Sequence, residues 1–163
     1  DRDAASRLTD RALDASTGAV VVAAYASRPD EPDTLALIEA LRRDGVRVLL
    51  PVLRREPDWA WYDGHLVPGP LGIGRPTGAR LGAGSLELAD VIWVPGLAGT
   101  TAGDRLGTGG GWYDRALAWA RPDARRGLLL YDEEVLPQLP TDPWDQRVQF
   151  LVTPERLLRC RAE

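Results

Sequence analysis

The chain has 163 residues and a formal net charge of −4, with 44% hydrophobic and 27% charged residues. A chain of this length and composition typically folds as one globular domain that can bury a sizeable core. The acidic balance disfavours a general nucleic-acid-binding protein, which would carry a basic surface. No apolar run reaches the roughly 18 residues needed to cross a membrane, so we expect neither nucleic acid nor a membrane as a partner.

Residue usage adds three expectations. All 20 basic residues are arginines, so no lysine can bind phosphate, act as a base or form a Schiff base. Cys160 is the single cysteine, which excludes an intramolecular disulfide, and we assign it no functional role. The sequence begins at Asp1, contains no Met and has no recognisable signal peptide. We therefore expect a cytoplasmic protein whose natural N-terminus lies upstream of Asp1.

Hydrophobic periodicity and turn residues predict alternating helices and strands. In the first half these are a helix over 4–15, a buried strand over 18–26, a helix over 33–45 that begins at Asp33 or Thr34 and stops at Gly45, a strand over 46–53, a hairpin over 59–67 that turns at Asp63-Gly64, and a loop over 68–84. In the second half they are a strand over 89–95, a long loop over 96–110, a helix over 111–120, a strand over 126–131, a short helix and a last strand over 148–153. This alternation indicates an α/β domain with a mostly parallel sheet.

One stretch, GDRLGTGGGWYDRAL at 103–117, concentrates four glycines within Gly107–Gly111. It follows the predicted strand that ends at Val94-Pro95 and leads into a predicted helix. In open α/β sheets ligands bind at this carboxyl edge, and glycines let an anion approach the backbone amides closely. A helix N-terminus adds partial positive charge. We interpret the loop as a phosphate-binding site, the alternative being a flexible connector.

The common phosphate motifs do not match this loop. A Walker loop requires Gly-Lys-Ser/Thr, and the chain has no lysine. The dinucleotide fingerprint Gly-x-Gly-x-x-Gly, started at Gly107, fails because Trp112 stands where the third glycine is required.

The segment VPGLAGTTAGDRLGTGGGWYDRAL resembles the signature of the 5-formyltetrahydrofolate cyclo-ligases, also called 5,10-methenyltetrahydrofolate synthetases. Two further segments are similar to the same family, DEPDTLALIEALRRDGVRVLLPV and LPTDPWDQRVQFLVTPERLL. Together the matches cover most of residues 20–158 in the family's order. The resemblance implies a three-layer Rossmann-like α/β domain with a mostly parallel sheet, of the NagB/RpiA/CoA-transferase-like type. It also implies a single cyclo-ligase domain over residues 1–163, with the family's N-terminal basic helix missing from the chain.

The activity that this resemblance implies is an ATP- and Mg²⁺-dependent ring closure of 5-formyltetrahydrofolate. The formyl oxygen would be phosphorylated to an N5-iminophosphate, N10 would attack that carbon, and 5,10-methenyltetrahydrofolate, ADP and phosphate would leave. Phosphorylation converts a poor leaving group into a good one, and phosphoryl transfer depends mainly on positioning and charge neutralisation. The partner would be this small-molecule substrate, and the protein would be a monomer or a weak homodimer.

Matching the family's motifs residue by residue assigns the site. Asp114 and Asp145 match the Mg²⁺ ligands, and Mg²⁺ suits a few carboxylates together with water and phosphate. Glu31 matches the acid that recognises the pterin, because a carboxylate can accept hydrogen bonds from the N–H groups of a pterin. The remaining assignments are Arg105 and Tyr113 as catalytic residues, an ATP-binding run of Arg105, Leu106, Gly107, Thr108, Gly109, Gly110, Gly111, Trp112 and Tyr113, and a substrate-binding set of Ala26, Glu31, Gly107, Thr108, Gly109, Gly110 and Gly111.

Each charged residue of this set also has a purely structural interpretation. Arg105 could form a surface salt bridge with Asp104, and Asp114 could simply favour the first turn of a helix. Asp145 could be a turn residue, and Glu31 could lie in a solvated loop.

Four other residues stay open between structure and function. His65, the single histidine, is interpreted as an exposed turn residue, although a general base is the alternative. Trp59, Trp61 and Tyr62 could stack on a pterin or pack a hairpin against the core.

The chain departs from the family pattern at Arg75, Thr108 and Trp144, where members often carry glutamate, a basic residue and histidine. Two rival functions are kept. One is a nucleotide- or folate-binding module with weak turnover, which loss of the basic N-terminal helix would favour. The other is a sugar-phosphate isomerase on the same fold, which would bind phosphate at this loop without ATP. ADP formation that depends strictly on 5-formyltetrahydrofolate would separate the cyclo-ligase from both.

Overall fold

A computed structural model describes residues 2–161 as alternating strands and helices. In chain order these are α1 (Arg2–Ala15), β1 (Val21–Ala23), α2 (Leu35–Arg43), β2 (Arg47–Val52), β3 (Asp58–Trp61), β4 (Leu66–Pro68), β5 (Gly74–Pro76), β6 (Val91–Val94), β7 (Ala98–Gly99), β8 (Arg105–Leu106), α3 (Trp112–Leu117), β9 (Arg125–Leu129), β10 (Phe150–Val152) and β11 (Leu157–Arg159). Short 3₁₀ helices occupy Pro70–Gly72, Ala83–Leu88 and Asp132–Glu134. None of the helices within residues 2–161 is long and apolar enough to cross a membrane.

Seven of the strands form one sheet in the order β11-β10-β9-β6-β1-β2-β3. The five inner strands run parallel to one another. The two edge strands, β3 and β11, run antiparallel to their neighbours. The sequence prediction of a mostly parallel α/β sheet is therefore confirmed. A parallel sheet brings the carboxyl ends of its strands to one edge, which is where the cavity described below lies.

Alternate residues of each inner strand contribute to cores on opposite faces of the sheet. In β6, Val91 and Trp93 pack on one face, whereas Ile92 and Val94 pack on the other. The first face is covered by apolar residues of α1 and α2, and the second by α3 and the 3₁₀ helix Ala83–Leu88. The inner strands are buried on both sides, which explains their continuous apolar sequences. The result is the three-layer arrangement expected from the sequence.

The connection from β1 to α2 is tied down by the residues that precede the helix. Thr34 holds the N-cap position, but its hydroxyl donates to the Tyr25 carbonyl and accepts from the Ser27 amide. The Asp33 carboxylate accepts the amide of Leu35 at 2.9 Å instead. Both predicted capping residues thus contribute, and their contacts close the loop over 27–34 into a defined shape.

A glycine on β9 makes room for a buried tryptophan on β6. Trp93 and Gly127 are paired in register across the two strands. A Cβ on Gly127 would lie 2.2 Å from Cζ3 of the Trp93 ring, and the indole nitrogen donates to Ser16 Oγ at 3.0 Å. The bare backbone at Gly127 is therefore required for packing around Trp93.

The predicted hairpin over 59–67 is wrong. β3 pairs with β2 on the main sheet, while β4 pairs with β5 in a separate two-stranded sheet. The turn at Asp63-Gly64 does exist, with Gly64 at a φ of +95°, but it separates two sheets. Alternating apolar residues identify a strand without naming its partner, and the buried side chains of β3 complete the main core.

Other boundaries also differ from the sequence prediction. The predicted loop over 68–84 contains β5, the loop over 96–110 contains the paired strands β7 and β8, and a further edge strand, β11, follows the predicted last strand. The first strand and the third helix are shorter than predicted, at Val21–Ala23 and Trp112–Leu117. These short edge elements depend on tertiary pairing, and local periodicity gives them little signal.

Candidate functional site

A cavity of about 400 Å³ opens at the carboxyl ends of β1, β2 and β6. Its walls come from five separate stretches of chain that the fold brings together. They are the loop after β1, the end of β2 with the loop after it, the residue before β5, the segment after β6 that includes the glycines, and part of the connection between β9 and β10. The residues proposed from the sequence all line it: Ala26, Glu31, Arg105, Leu106, Gly107, Thr108, Gly109, Gly110, Gly111, Trp112, Tyr113, Asp114 and Asp145.

Two of the glycines adopt backbone conformations that other residues rarely adopt. Gly109 has a φ of +110°, and Gly111, the residue before α3, has a φ of +69°. A Cβ on Gly109 or Gly110 would meet no atom within 4 Å, so the backbone there borders open space. At Gly107 a Cβ would lie 3.0 Å from Nη1 of Arg105. The loop thus needs glycine for its conformation at two positions, and at a third the bare backbone lies close to the Arg105 guanidinium.

Arg105 is a buried cation in the wall of this cavity, with 6% of its side chain exposed. Its Nη1 donates to the Pro95 carbonyl at 3.1 Å, and its Nη2 lies 3.5 Å from Oδ1 of Asp114. The Nε is buried and has no hydrogen-bond partner within the described part of the chain. Asp104 pairs with Arg147 instead, at 3.3 Å, so the surface salt bridge considered for Arg105 and Asp104 does not form.

The two candidate metal ligands are brought together from segments that lie 31 positions apart in the sequence. Asp114 lies in the first turn of α3. Its Oδ1 accepts a hydrogen bond from the amide of Gln146 at 3.0 Å. Asp145, the neighbour of Gln146, lines the same cavity, and its Oδ2 accepts the Asp142 amide at 2.7 Å. No group of three or more His, Cys, Asp or Glu side chains within residues 2–161 is arranged around a metal position. Two carboxylates with open space beside them suit Mg²⁺, which keeps water and phosphate oxygens in its shell.

Glu31 lies in the cavity wall, in the loop that follows β1. Only 11% of its side chain is exposed, and Oε1 accepts the amide of Arg28 at 2.8 Å. The Nε of Arg28 lies 3.7 Å from the same oxygen. The solvated loop considered for Glu31 is therefore wrong, because the carboxylate is held in place and mostly covered.

The hydroxyl of Tyr113 is buried in the cavity wall and finds no hydrogen-bond partner within residues 2–161. Its ring packs against Trp112 and Trp59, with centroids 4.8 Å and 6.5 Å away. Burial raises the pKa of Tyr113 well above its ordinary value, although the charge of Arg105 acts in the opposite direction. The phenol is thus neutral at physiological pH and can donate one hydrogen bond to a bound molecule.

Sequence reasoning missed several cavity residues. Tyr25 is 4% exposed, and burial followed by the charge of Glu31 raises its pKa. Ile73 was placed in an unstructured loop, although it precedes β5 and reaches the cavity. The other missed residues are Arg28, Pro51, Leu53, Pro95, Gly96, Pro140, Thr141, Asp142 and Trp144, the last of which was noted only as a departure from the family pattern. The only available signal was position, since Tyr25 directly precedes Ala26, just after β1 ends at the ligand-binding edge.

The remaining aromatic candidates lie outside the cavity wall. Trp59 is fully buried in the core. The Arg47 guanidinium stacks on the ring of Trp61, 3.8 Å from its centroid. The Tyr62 hydroxyl donates a hydrogen bond to Glu39. His65 has 82% of its side chain exposed beside Asp63, in keeping with an exposed turn residue.

Cys160 also lies outside the cavity wall. Burial raises the pKa of its thiol to about 11, with a further contribution from Asp104. The raised pKa keeps the thiol protonated at physiological pH, which lowers its nucleophilicity.

Comparison with known proteins gives consistent matches. A family model described as the 5-formyltetrahydrofolate cyclo-ligase family matches residues 1–154. A 5-formyltetrahydrofolate cyclo-ligase of Mycolicibacterium smegmatis is 38% identical over 143 residues, which cover 83% of this chain and 74% of the relative. One from Escherichia coli K12 is 34% identical over 143 residues, covering 83% and 79%.

Two solved structures have the same fold. A 5,10-methenyltetrahydrofolate synthetase of Aquifex aeolicus has a TM-score of 0.76 at 29% identity, and the match covers 96% of this chain and 83% of that protein. One from Mycoplasma pneumoniae has a TM-score of 0.73 at 16% identity, covering 93% and 85%. The second likeness is one of fold alone.

Proposed function

Because this chain belongs to the 5-formyltetrahydrofolate cyclo-ligase family, a family of enzymes, we propose that it converts 5-formyltetrahydrofolate into 5,10-methenyltetrahydrofolate with consumption of ATP. The observation that carries this proposal is the single cavity that gathers the glycine loop, Arg105, two carboxylates and Glu31. A phosphate-binding loop, a metal-binding pair and a buried acceptor are the three features that an ATP-dependent ligase acting on a pterin needs.

The nucleotide phosphates would bind along the glycine loop, over Arg105–Tyr113. Gly109 and Gly110 face open space, so phosphate oxygens can approach their amides without meeting a side chain. Arg105 is held by the Pro95 carbonyl and by Asp114. A guanidinium in that fixed orientation can neutralise charge on the transferred phosphoryl group while losing little side-chain freedom.

The carboxylates of Asp114 and Asp145 would hold Mg²⁺. Both contacts described for Asp114 involve Oδ1, which leaves Oδ2 for a cation. When bound, Mg²⁺ would neutralise phosphate charge and fix the geometry of the triphosphate. Asp114 also sets the position of Arg105, so the anionic and cationic sides of the phosphate site are oriented by the same carboxylate.

The folate would bind on the β1 side, where Glu31 and Ala26 line the cavity. The Glu31 carboxylate has a free Oε2 among its described contacts, while Oε1 is held by Arg28. Ring and amino N–H groups of a pterin donate to such an acceptor. Tyr113 lies close enough to Glu31 for the carboxylate charge to act on its pKa. Its unpaired hydroxyl would therefore donate to the substrate where the pterin side and the phosphate side meet.

The chemistry assigned to these residues is mainly positioning and charge stabilisation. Phosphorylation of the formyl oxygen would give an N5-iminophosphate. Attack by N10 on the formyl carbon would then expel phosphate and close the ring. Holding the two reacting parts in one cavity replaces a bimolecular encounter by an oriented contact. The neutral Tyr113 donor and the cationic Arg105 would stabilise oxygen atoms that gain negative charge.

The test is a two-product assay on the purified protein with ATP, Mg²⁺ and 5-formyltetrahydrofolate. We expect the near-ultraviolet absorbance of the methenyl product to rise and ADP to form in equal amount. ADP formation should stop when the folate is omitted. If the folded protein binds ATP or folate but forms neither product, the chain is a binding module and the proposed activity is wrong.

A further inference from the structure

Trp144 is the exposed aromatic side chain of the cavity wall. Its exposed fraction is 66%, whereas those of Tyr25 and Tyr113 are 4% and 9%. Trp112 packs its ring on Trp59, with centroids 5.6 Å apart. In the part of the chain that the structure describes, Trp144 makes no ring or cation–π contact. A flat ring could therefore cover this indole without displacing a protein contact.

A tight turn holds Trp144 at the cavity. The amide of Asp145 donates to the Asp142 carbonyl at 3.0 Å, and the Asp142 amide donates to Asp145 Oδ2 at 2.7 Å. Pro143 occupies the second position of this four-residue turn and Trp144 the third. The following residue, Gln146, is anchored on Asp114. The indole is thus presented by backbone that is already ordered, which reduces the entropy lost when a ligand binds.

Trp144 directly precedes Asp145, one of the two carboxylates proposed to hold Mg²⁺, and both residues line the cavity. Glu31, the proposed acceptor for the pterin, belongs to a different stretch of chain, the loop after β1. Because Mg²⁺ at Asp145 would bind the phosphates of the nucleotide, the neighbouring indole is a candidate contact of the nucleotide rather than of the pterin.

We infer that Trp144 stacks on the base of the nucleotide and favours a purine over a pyrimidine or a base-free triphosphate. This inference rests on the proposed function and adds a specificity-determining residue to it. Leu53 and Leu106, which are 54% and 37% exposed, also line the cavity and extend its apolar rim. A two-ring purine overlaps the two-ring indole more fully than a one-ring pyrimidine does, so the preference follows from overlap area.

Substitution of Trp144 should change nucleotide affinity by a measurable factor. Stacking of a base on an aromatic side chain is worth a factor of about 5 to 150 in affinity. Trp144→Ala should therefore lower the affinity for ATP by a factor in that range, and Trp144→Phe should retain part of that affinity. The affinity of inorganic tripolyphosphate, which has no base, should stay within about twofold of the parent value.

The experiment is calorimetric titration of the full chain with Mg²⁺ and each of ATP, CTP and tripolyphosphate. Trp119 provides a matched control, since it is 55% exposed and lies outside the cavity wall. Trp119→Ala should leave all three affinities unchanged. Trp144→Ala should reduce the preference of the protein for ATP over CTP. Steady-state kinetics should show a raised KM for ATP with little change in the KM for 5-formyltetrahydrofolate.

Three outcomes would overturn the inference. An unchanged ATP affinity in Trp144→Ala would show that the indole does not touch the base. An equal loss for ATP and tripolyphosphate would show that it acts by positioning Asp145. A raised KM for the folate alone would show that it stacks on the other substrate. These results are distinct from failure of the proposed function, in which the parent protein itself would form no product. A parent protein that binds no nucleotide would overturn both the proposed function and this inference.

Discussion

Arg105 and Asp114 form an ion pair in the cavity wall, with Nη2 3.5 Å from Oδ1 and with 6% and 17% of their side chains exposed. Asp114 Oδ1 also accepts the amide of Gln146. One carboxylate therefore connects the glycine segment, α3 and the turn that bears Asp145. Removing the charge of one partner leaves the other buried without compensation, so the effects of Asp114 variants must be separated into folding and ligand binding.

Asp114→Asn should lower activity by about tenfold or more, with partial recovery at high Mg²⁺. The amide keeps the size of the side chain and an oxygen that can accept from Gln146, but it removes the negative charge that would bind the cation. Initial rates over a Mg²⁺ titration measure the effect, and Asp145→Asn should behave in the same way.

Asp123→Asn is the charge-matched control for both, because Asp123 is 81% exposed and pairs only with Arg121 at the surface among its described contacts. Its Mg²⁺ dependence should equal that of the parent. If Asp114→Asn also retains parental kinetics at limiting Mg²⁺, Asp114 is a structural residue that fixes Arg105.

Glu31→Gln should raise the KM for 5-formyltetrahydrofolate much more than the KM for ATP. The amide oxygen can still accept from Arg28, so the loop keeps its shape, while the charged acceptor for the pterin is lost. A charged hydrogen bond of about 1.5–3 kcal/mol corresponds to roughly a 10- to 100-fold change. Asp30→Asn, which alters a neighbouring carboxylate with 75% exposure, should change neither KM. Equal increases for both substrates would mean that Glu31 acts through folding.

Gly109→Val should abolish measurable ATP binding while the protein stays folded. The Cβ would enter open space, so the penalty in the free protein comes from the φ of +110°, about 1–3 kcal/mol. Bound phosphate, by contrast, would meet the valine side chain directly. Calorimetric titration with ATP, together with thermal melts, separates the two effects.

Two neighbouring variants serve as controls for Gly109→Val. A Cβ at Gly110 also meets no atom within 4 Å, and Gly110 has no positive φ. Gly110→Ala should therefore lower the affinity for ATP with little change in folding stability. Thr108→Ala should change both the affinity and the stability only slightly. ATP binding by Gly109→Val at the parental affinity would identify the loop as a connector.

Gly127→Ala should destabilise the fold by about 1–3 kcal/mol or more, because overpacking in a buried core forces side chains from their preferred positions. The added Cβ would lie 2.2 Å from the Trp93 ring. Gly84→Ala is matched to it, since a Cβ there would lie 3.9 Å from the Trp119 ring in ordinary contact. Urea unfolding should show a lower midpoint for the first variant only, and similar midpoints for both would mean that Trp93 can move aside.

Part of the site could be recognised from the sequence because its residues are neighbours in the chain. Arg105, the glycines, Tyr113 and Asp114 fall within ten positions, and the strand before them was identified by its apolar run. Their motif could be compared with a family, and all of them line one cavity. Ile73 and Tyr25 were missed because nothing in their own sequence neighbourhood shows which residues they will face.

The sequence by itself determined the α/β alternation, the parallel inner strands and the glycine-rich approach to α3, since these follow from local periodicity and backbone preference. Only the tertiary structure decided that β3 pairs with β2, that Arg105 pairs with Asp114, and that Glu31 and Trp144 line the same cavity. The physical reason is that such contacts join residues far apart in the chain. Their geometry is set by the order of strands and by which side chains fill the core, and a local pattern specifies neither.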